Sequence, residues 1–215
     1  MTPNREDYLK CIYELSQSQA KMTNKEIAQE MGVSAPAVSE MVKKMISEGL
    51  IKKDKEAGYR LNHKGLALVS DLYRKHRLIE SFLVRDLHYT ADEIHQEAEV
   101  LEHTVSTTFI DRLEENLGYP DFCPHGGSIP KKGEIIKEHY QKSLGQVVEE
   151  GTYLIGRIHD QLQLLNYLDS HQLHINQLIE VRAIDDYAQT YTIHYDKKEL
   201  TIPQSVAQEI YVEKQ

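Results

Sequence analysis

The fold of the N-terminal part of this chain follows from residues 21–61, KMTNKEIAQEMGVSAPAVSEMVKKMISEGLIKKDKEAGYRL. Thr23 and Glu26 have the spacing of a capping box, which predicts a short helix, and Gly32 is typical of its C-terminal cap. Ser34 is the expected N-cap of a second helix. Two helices joined by a tight turn that contains glycine are typical of a helix-turn-helix.

The residues on either side complete the predicted domain. Two short β-rich pieces, residues 50–52 and 59–61, flank the polar turn KDKEAG and predict a hairpin. Residues 4–18 place apolar side chains at helical spacing, so we expect an amphipathic helix before the helix-turn-helix. Three helices followed by a hairpin predict a winged helix-turn-helix over residues 1–64.

The second helix of the motif is the expected recognition helix, because this helix enters the major groove of DNA in such proteins. Its small side chains allow close approach to the bases, serine and glutamate can hydrogen-bond base edges, and basic side chains can neutralise phosphates. The predicted DNA-contacting residues are Ser34, Ala35, Pro36, Ala37, Ser39, Glu40, Lys43, Lys44 and Arg60. A solvated helix in a protein-interaction module is the alternative.

Composition and charge are those of a soluble globular protein. Of 215 residues, 40% are hydrophobic and 27% are charged, and no apolar run reaches the roughly 18 residues that a membrane helix needs. The first residues contain no apolar signal-peptide core, so we expect a cytoplasmic protein without a membrane partner. Residues 1–64 carry eleven Lys and Arg against nine Asp and Glu, whereas residues 65–215 carry fourteen against twenty-five. This asymmetry fits a DNA-binding part joined to an acidic part that receives cations.

Residues 94–105, IHQEAEVLEHTV, contain the strongest candidate for a functional site. In a helix, His95, Glu99, Glu102 and His103 share one face because they are spaced i, i+4, i+7 and i+8. Carboxylate oxygens with imidazole nitrogens suit manganese, iron, zinc or cobalt, and a cation removes the repulsion between the acids. A solvated helix face is the alternative.

Two further pairs of residues could add ligands. His76 and Glu80 lie four residues apart in a long helical pattern that begins at Gly65, so they share a face. Cys123 and His125 lie two residues apart in an irregular segment rich in Gly and Pro, where both can reach one metal. A redox-sensing or nucleophilic Cys123 is the alternative, although no general base accompanies it.

In the middle of the chain, a helix is predicted to begin after Thr90 and to run to about Leu117. Its later turns carry apolar residues that predict a homodimer seam, with packing against the helix from Gly65 as the alternative. These residues are Val105, Phe109, Ile110, Leu113 and Leu117.

The C-terminal part, residues 141–215, is predicted to be a small barrel. Several short β-rich stretches surround one short helix near residues 161–171. It contains neither a Gly-rich phosphate loop nor a nucleophile elbow, so we expect no enzymatic activity and no small organic substrate. The expected fold class is mainly α with a small all-β C-terminal domain.

Three segments carry a resemblance to a known family: residues 60–83 (RLNHKGLALVSDLYRKHRLIESFL), 97–103 (EAEVLEH) and 123–130 (CPHGGSIP). Together with the winged helix, they resemble the diphtheria-toxin-repressor family of metal-dependent transcriptional repressors, in its three-domain, manganese-responsive branch. The resemblance implies a DNA-binding domain at 1–64, a helical metal-binding and dimerisation domain at 65–140, and an SH3-like (FeoA-like) domain at 141–215.

The resemblance also implies two metal sites per subunit. The first would comprise Asp7, Glu99, Glu102 and His103. The second would comprise His76, Glu80, Cys123, His125 and Asp160, with Cys123 and His125 taking the place of His95, which matches a ligand position in iron-type members.

Ligand chemistry then predicts the metal. Asp7 and Glu99 stand where iron-responsive members have a thioether and a thiol, and hard oxygens favour Mn2+. Zn2+ or Fe2+ is possible at the Cys123/His125 site. Compact two-domain manganese regulators have an acid at the position of Lys10, so two separate sites are expected rather than a binuclear one.

The expected function is therefore that of a Mn2+-dependent repressor. It would bind double-stranded operator DNA of palindromic sequence as a homodimer and repress genes for manganese uptake. A winged-helix transcription factor that senses an organic ligand is one alternative, and a metal-dependent hydrolase is another.

Overall fold

The computed structural model describes residues 5–18 and 21–215. It divides into two compact units. One contains the described residues up to Lys75 with Pro130–Ile136, and the other contains His76–Ile129 with Lys137–Gln215. The helix His63–Arg85 contributes residues to both units. The three domain boundaries expected from the sequence stay a prediction. No helix in the described ranges combines the length and apolar character needed to cross a membrane.

The first unit has the predicted order of three helices and a hairpin, followed by the start of a fourth helix. Its elements are α1 (Arg5–Ser18), α2 (Asn24–Glu30), α3 (Ala35–Ser47), β1 (Ile51–Asp54), β2 (Gly58–Leu61) and α4 (His63–Arg85). Thr23 and Glu26 form the expected capping box, and Ser34 caps α3 by accepting a hydrogen bond from the Ala37 amide at 3.4 Å. The antiparallel pairing of β1 with β2 confirms the predicted wing.

Apolar side chains at helical spacing form the core of this unit. Leu9 and Ile12 from α1, Ile27 from α2, and Val38 and Met45 from α3 are buried together. Burial of an apolar side chain of this size contributes about 1.5–3 kcal/mol. The periodicity that predicted the helices therefore also provides the packing that orients α3.

The helical part of the second unit corrects one prediction. The expected single helix from Thr90 to Leu117 is wrong, because the chain forms α5 (Ala91–Leu101) and α6 (Thr107–Leu117). The Thr104 hydroxyl bonds to the Leu101 carbonyl, and Ser106 starts α6 by accepting a hydrogen bond from the Phe109 amide. Hydroxyl side chains compete with helical hydrogen bonds in this way, which explains the break.

The apolar residues of α6 divide between the two alternatives considered for them. Ile110, Leu113 and Leu117 are buried in one cluster with residues of α4, as expected for packing within the subunit. Phe109 stays 46% exposed. The apolar surface of α6 that one subunit leaves exposed for a dimer partner is therefore smaller than the apolar periodicity predicted.

The C-terminal part of the second unit is a five-stranded antiparallel sheet with two helices. Its elements are β3 (Gly151–Ile158), α7 (Leu162–Ser170), β4 (Leu178–Asp185), β5 (Thr190–Tyr195), β6 (Lys198–Pro203), α8 (Gln204–Ala207) and β7 (Ile210–Lys214). The strand order is β6-β5-β4-β3-β7. The predicted short helix is present as α7, and Asp196 and Lys197, which have positive φ, form the hairpin turn between β5 and β6.

Candidate metal centre

His76 and Glu80 lie one turn apart on α4, as predicted, and both side chains are buried, with 2% and 0% exposure. His76 is placed between two carboxylates. Its Nδ1 lies 2.6 Å from Glu102 Oε2, and its Nε2 lies 2.8 Å from Asp160 Oδ2. A buried carboxylate is costly unless a charge or a hydrogen bond compensates it, so this grouping needs an electrostatic explanation.

Glu80 is the least satisfied member of the group. Its Oε1 lies 3.0 Å from His125 Nδ1 and 3.3 Å from His76 Nε2. Neither contact has hydrogen-bond geometry, and within the described part of the chain neither Glu80 oxygen nor His125 Nδ1 has a hydrogen-bond partner. Glu80, Cys123 and His125 each offer a ligand atom, and these atoms lie within 4.8 Å of one another. A fully buried carboxylate whose contacts with two imidazoles lack hydrogen-bond geometry, and which lies beside a thiol, fits a divalent cation.

A tight loop holds Cys123 and His125 in place. The Cys123 amide donates to the Gly127 carbonyl at 2.9 Å, and the Ile158 amide donates to the His125 carbonyl at 2.9 Å. Gly126 has a φ of +77°, and a Cβ there would lie 2.0 Å from the Gly156 carbonyl oxygen. Only glycine allows this approach, so the loop packs closely on β3.

Asp160 follows β3 and completes the group. His95 Nδ1 lies 3.0 Å from Asp160 Oδ1, and His125 Nδ1 lies 3.7 Å from the same oxygen. His76, His95 and Asp160 form a second group whose ligand atoms lie within 4.8 Å of one another. The family resemblance predicts that Cys123 and His125 take the place of His95 as ligands, whereas in the structure His95 also contacts Asp160.

Burial and charge shift the pKa values of this group in different directions. Burial lowers the pKa of His125, but Glu80 and the other nearby acidic groups outweigh it and raise the value to about 11. Burial raises the pKa of Glu80 and Asp160, but neighbouring imidazoles hold both below their usual values, Asp160 well below. Burial raises the pKa of the Cys123 thiol. At neutral pH the metal-free group therefore has protonated His125 and Cys123 and ionised carboxylates.

The residues of the first predicted site lie at the end of α5. Glu102 is fully buried, and its Oε1 lies 3.2 Å from His103 Nε2. Glu99, Glu102 and His76 form a group with ligand atoms within 4.8 Å of one another. Asp7 belongs to α1 in the other unit, and its participation stays a prediction.

Of the predicted DNA-contacting residues, Ser34 is the N-cap of α3, Arg60 lies on β2 of the wing, and the others lie on α3. Ala35, Pro36, Ala37, Glu40, Lys43 and Lys44 are all exposed. Ser39 is engaged within the unit, because its hydroxyl accepts from the Asn24 amide at 2.8 Å and donates to the Ala35 carbonyl at 3.0 Å. Arg60 Nε lies 3.0 Å from Asp54 on β1. The roles of these residues toward DNA stay predictions.

The fold and the site together define a winged helix-turn-helix protein with a buried cluster of metal-ligating side chains. Comparison with known families names its class. Residues 1–59 match the N-terminal DNA-binding domain of iron-dependent repressors, residues 62–131 their metal-binding and dimerisation domain, and residues 142–214 the FeoA domain. The chain belongs to this family, the diphtheria-toxin-repressor family of metal-dependent repressors. It is a family of transcriptional repressors and not of enzymes.

Known proteins of the family resemble the chain to different extents. The structure of the manganese regulator SloR is 55% identical, covers 100% of both chains and has a TM-score of 0.93. The structure of ScaR with bound Zn2+ is 54% identical over 99% of this chain and 100% of that chain, with a TM-score of 0.96. The iron-dependent repressor IdeR of Mycobacterium tuberculosis (strain ATCC 25618 / H37Rv) is 35% identical over 60% of this chain. That match spans 56% of IdeR, so the chain covers little more than half of this curated relative.

Proposed function

We propose that this chain is a manganese-activated transcriptional repressor that binds operator DNA as a homodimer. The observation that carries the proposal is the buried Glu80, whose oxygens make no hydrogen bond of acceptable geometry beside Cys123, His125 and Asp160, in a protein with a winged helix-turn-helix. The likeness to the manganese regulator SloR over the whole of both chains supports it. The finer expectations are a palindromic operator and control of manganese uptake genes.

Two groups of residues would hold the metal. Glu80, Cys123, His125 and Asp160, with His76, supply sulfur, nitrogen and oxygen donors, so Zn2+ or Fe2+ could compete with Mn2+ there. Glu99, Glu102 and His103, with Asp7 as the ligand expected from the sequence, supply mainly oxygen and favour Mn2+. A bound divalent ion would cross-link these side chains and cancel part of their negative charge.

The DNA-binding step belongs to the first unit. The exposed small residues at the start of α3 allow close approach to base edges, and Lys43 and Lys44 neutralise phosphates. Conversion of a mostly inactive population to a mostly active one requires a preference of about 5.5 kcal/mol for the DNA-competent state. Two metal sites in each subunit of a dimer can supply this preference if Asp7 is a ligand, because loading then favours one placement of α1.

The proposal is tested by measuring DNA binding with and without metal. An operator is selected from a random DNA pool by the protein with Mn2+, and its affinity is measured by fluorescence anisotropy with Mn2+ and with EDTA. We expect tight binding with Mn2+, loss in EDTA and weak binding by Glu80→Gln and Glu102→Gln. Glu115→Gln, at an exposed ion pair on α6, is the matched control. Equal affinity in Mn2+ and EDTA contradicts the proposal and favours a regulator that senses an organic ligand.

A further inference from the structure

A buried group of three charged side chains lies next to the candidate metal centre and contains none of its ligands. Arg77 follows His76 on α4, and its guanidinium donates to Glu138 Oε1 at 2.6 Å. Arg157 on β3 brings Nε to within 3.9 Å of Glu138 Oε2. Arg77 and Arg157 are only 7% and 8% exposed. Burial raises the pKa of Glu138, but the two arginines outweigh it and hold the pKa below its usual value, so the carboxylate is ionised.

Arg77 and Glu138 both bind the backbone of the loop that carries Cys123. The Arg77 guanidinium donates to the Ser128 carbonyl at 2.5 Å, and the Ser128 amide donates to Glu138 Oε2 at 3.0 Å. A Cβ at Gly127 would lie 2.6 Å from Arg77 Cζ, so the loop backbone packs directly on the guanidinium. The loop that carries two candidate ligands is therefore fixed to the helix that carries two others.

Arg157 extends the same network to the strand that precedes Asp160. Its Nε donates to the Tyr140 carbonyl at 3.2 Å, and its guanidinium stacks 3.3 Å from the centre of the Tyr211 ring. Arg157 lies three residues before Asp160, and the next residue after it, Ile158, donates its amide to the His125 carbonyl. The network thus includes residues of α4 and β3 and contacts the loop that carries Cys123 and His125, so it involves all three segments that carry the candidate ligands Glu80, Cys123, His125 and Asp160.

Such a group is poorly explained as a source of stability alone. Removing buried ions from water costs about as much as their attraction returns, so a buried ion group is weak evidence for stabilisation. Its hydrogen bonds, in contrast, define one arrangement of α4, the loop and the strand end. A divalent ion needs such an arrangement, because ligands must meet at fixed distances.

We propose that Arg77, Glu138 and Arg157 are positioning residues for the metal centre. They do not ligate the ion but hold the Cys123–Ser128 loop and the end of β3 against α4, so that Glu80, Cys123, His125 and Asp160 converge. This inference rests on the proposed function, because it requires these four residues to bind a metal.

The test uses Co2+ as a probe, because thiolate coordination gives an absorption band that reports the bond between Cys123 and the metal. Glu138→Gln removes the charge that both arginines share while keeping the side-chain size. We expect this full-length variant to stay folded, to bind Co2+ about 10–100-fold more weakly than wild type and to show a weaker band at saturation. The matched control is Glu180→Gln, which breaks an exposed arginine pair in the same unit, and it should leave both properties unchanged.

A second variant covers the case in which Glu138→Gln does not fold. Arg77→Lys keeps a cation beside Glu138, but one ammonium cannot reproduce the fork that binds Ser128 and Glu138 together. We therefore expect Arg77→Lys also to bind Co2+ more weakly than wild type and to show a weaker thiolate band. If a folded variant binds Co2+ with wild-type affinity and shows the wild-type thiolate band, the inference is wrong. It is also wrong if a variant lowers the melting temperature but leaves the thiolate band unchanged. If the wild type gives no thiolate band, or if Cys123→Ser retains it, the proposed metal centre itself is wrong.

Discussion

Lowering the pH from 7 to 6 should weaken metal binding at the Cys123/His125 centre by about 100-fold. The pKa of His125 is raised to about 11 and that of Cys123 is also raised, so both groups carry a proton throughout this range. The pKa values of Glu80 and Asp160 are lowered, so these carboxylates are already ionised. Binding an ion must therefore release two protons, and each displaced proton makes the affinity fall tenfold per pH unit as the pH falls. Two protons correspond to about 2.7 kcal/mol per pH unit.

Isothermal titration calorimetry measures this release directly. Titration with Mn2+ in buffers of different ionisation enthalpy gives the number of protons released as the slope of the observed enthalpy against the buffer enthalpy. We expect at least two for the wild type and one fewer for Cys123→Ser, because a serine hydroxyl keeps its proton.

The control is Cys11→Ser, which removes the other buried thiol and should leave the slope unchanged. Equal slopes for wild type and Cys123→Ser would refute the reasoning, as would a slope below two. An affinity that is the same at pH 6 and pH 7 leads to the same conclusion.

Four further predictions follow from single residues. Gly126→Ala should lower the free energy of unfolding by more than about 2 kcal/mol in thermal melts, because it adds a backbone clash to the strain of a positive φ. Gly118→Ala is the control, because a Cβ there meets nothing within 4 Å, and it should lower the free energy of unfolding by only about 1 kcal/mol. Lys43→Ala should weaken DNA binding equally for all sequences and lower the slope of log affinity against log salt by about 1. Glu99→Cys should shift the preference from Mn2+ toward Fe2+ or Zn2+ in competition titrations, and unchanged selectivity contradicts the ligand argument. Asp7→Ala should weaken Mn2+-dependent operator binding without loss of the dimer in light scattering, and a monomeric variant would show a structural role instead.

The winged helix-turn-helix could be predicted from the sequence because local rules determine it. Thr23 and Ser34 cap helices by contacts with residues three positions away, and the apolar periodicity selects which faces become buried. The pairing of β1 with β2 depends on a turn of three residues. Such short-range interactions leave a clear pattern in one sequence.

The break between α5 and α6 could not be predicted from periodicity. The apolar spacing continues across residues 102–106, and the hydroxyl side chains of Thr104 and Ser106 are the local indications of the break. As a result, Glu102 is the C-terminal cap of α5 instead of an inner residue of a long helix. Glu99 and Glu102 still bring ligand atoms to within 4.8 Å of one another, and Glu102 also contacts His103. His95 contacts Asp160, which the spacing did not indicate.

The ligand set could be assembled from the sequence only in part. Spacing predicts that His76 and Glu80 share a face, but nothing local places Asp160, which is 80 residues further on than Glu80, beside them. The family resemblance supplied that residue. Neither spacing nor resemblance indicated Arg77 and Glu138, because a salt bridge between residues 61 positions apart has no pattern in a single chain.

The two candidate sites are linked through one imidazole. His76 Nδ1 faces Glu102 and Nε2 faces Asp160, both within hydrogen-bond distance. An imidazole donates from both nitrogens only when it is protonated, and a neutral ring donates to one carboxylate and must accept from the other side. A neutral His76 therefore cannot donate to the Glu102 and Asp160 carboxylates at the same time. A change in the charge at either carboxylate consequently alters the hydrogen bond at the other, so substitutions at Glu102 should be read for their effect on both sites.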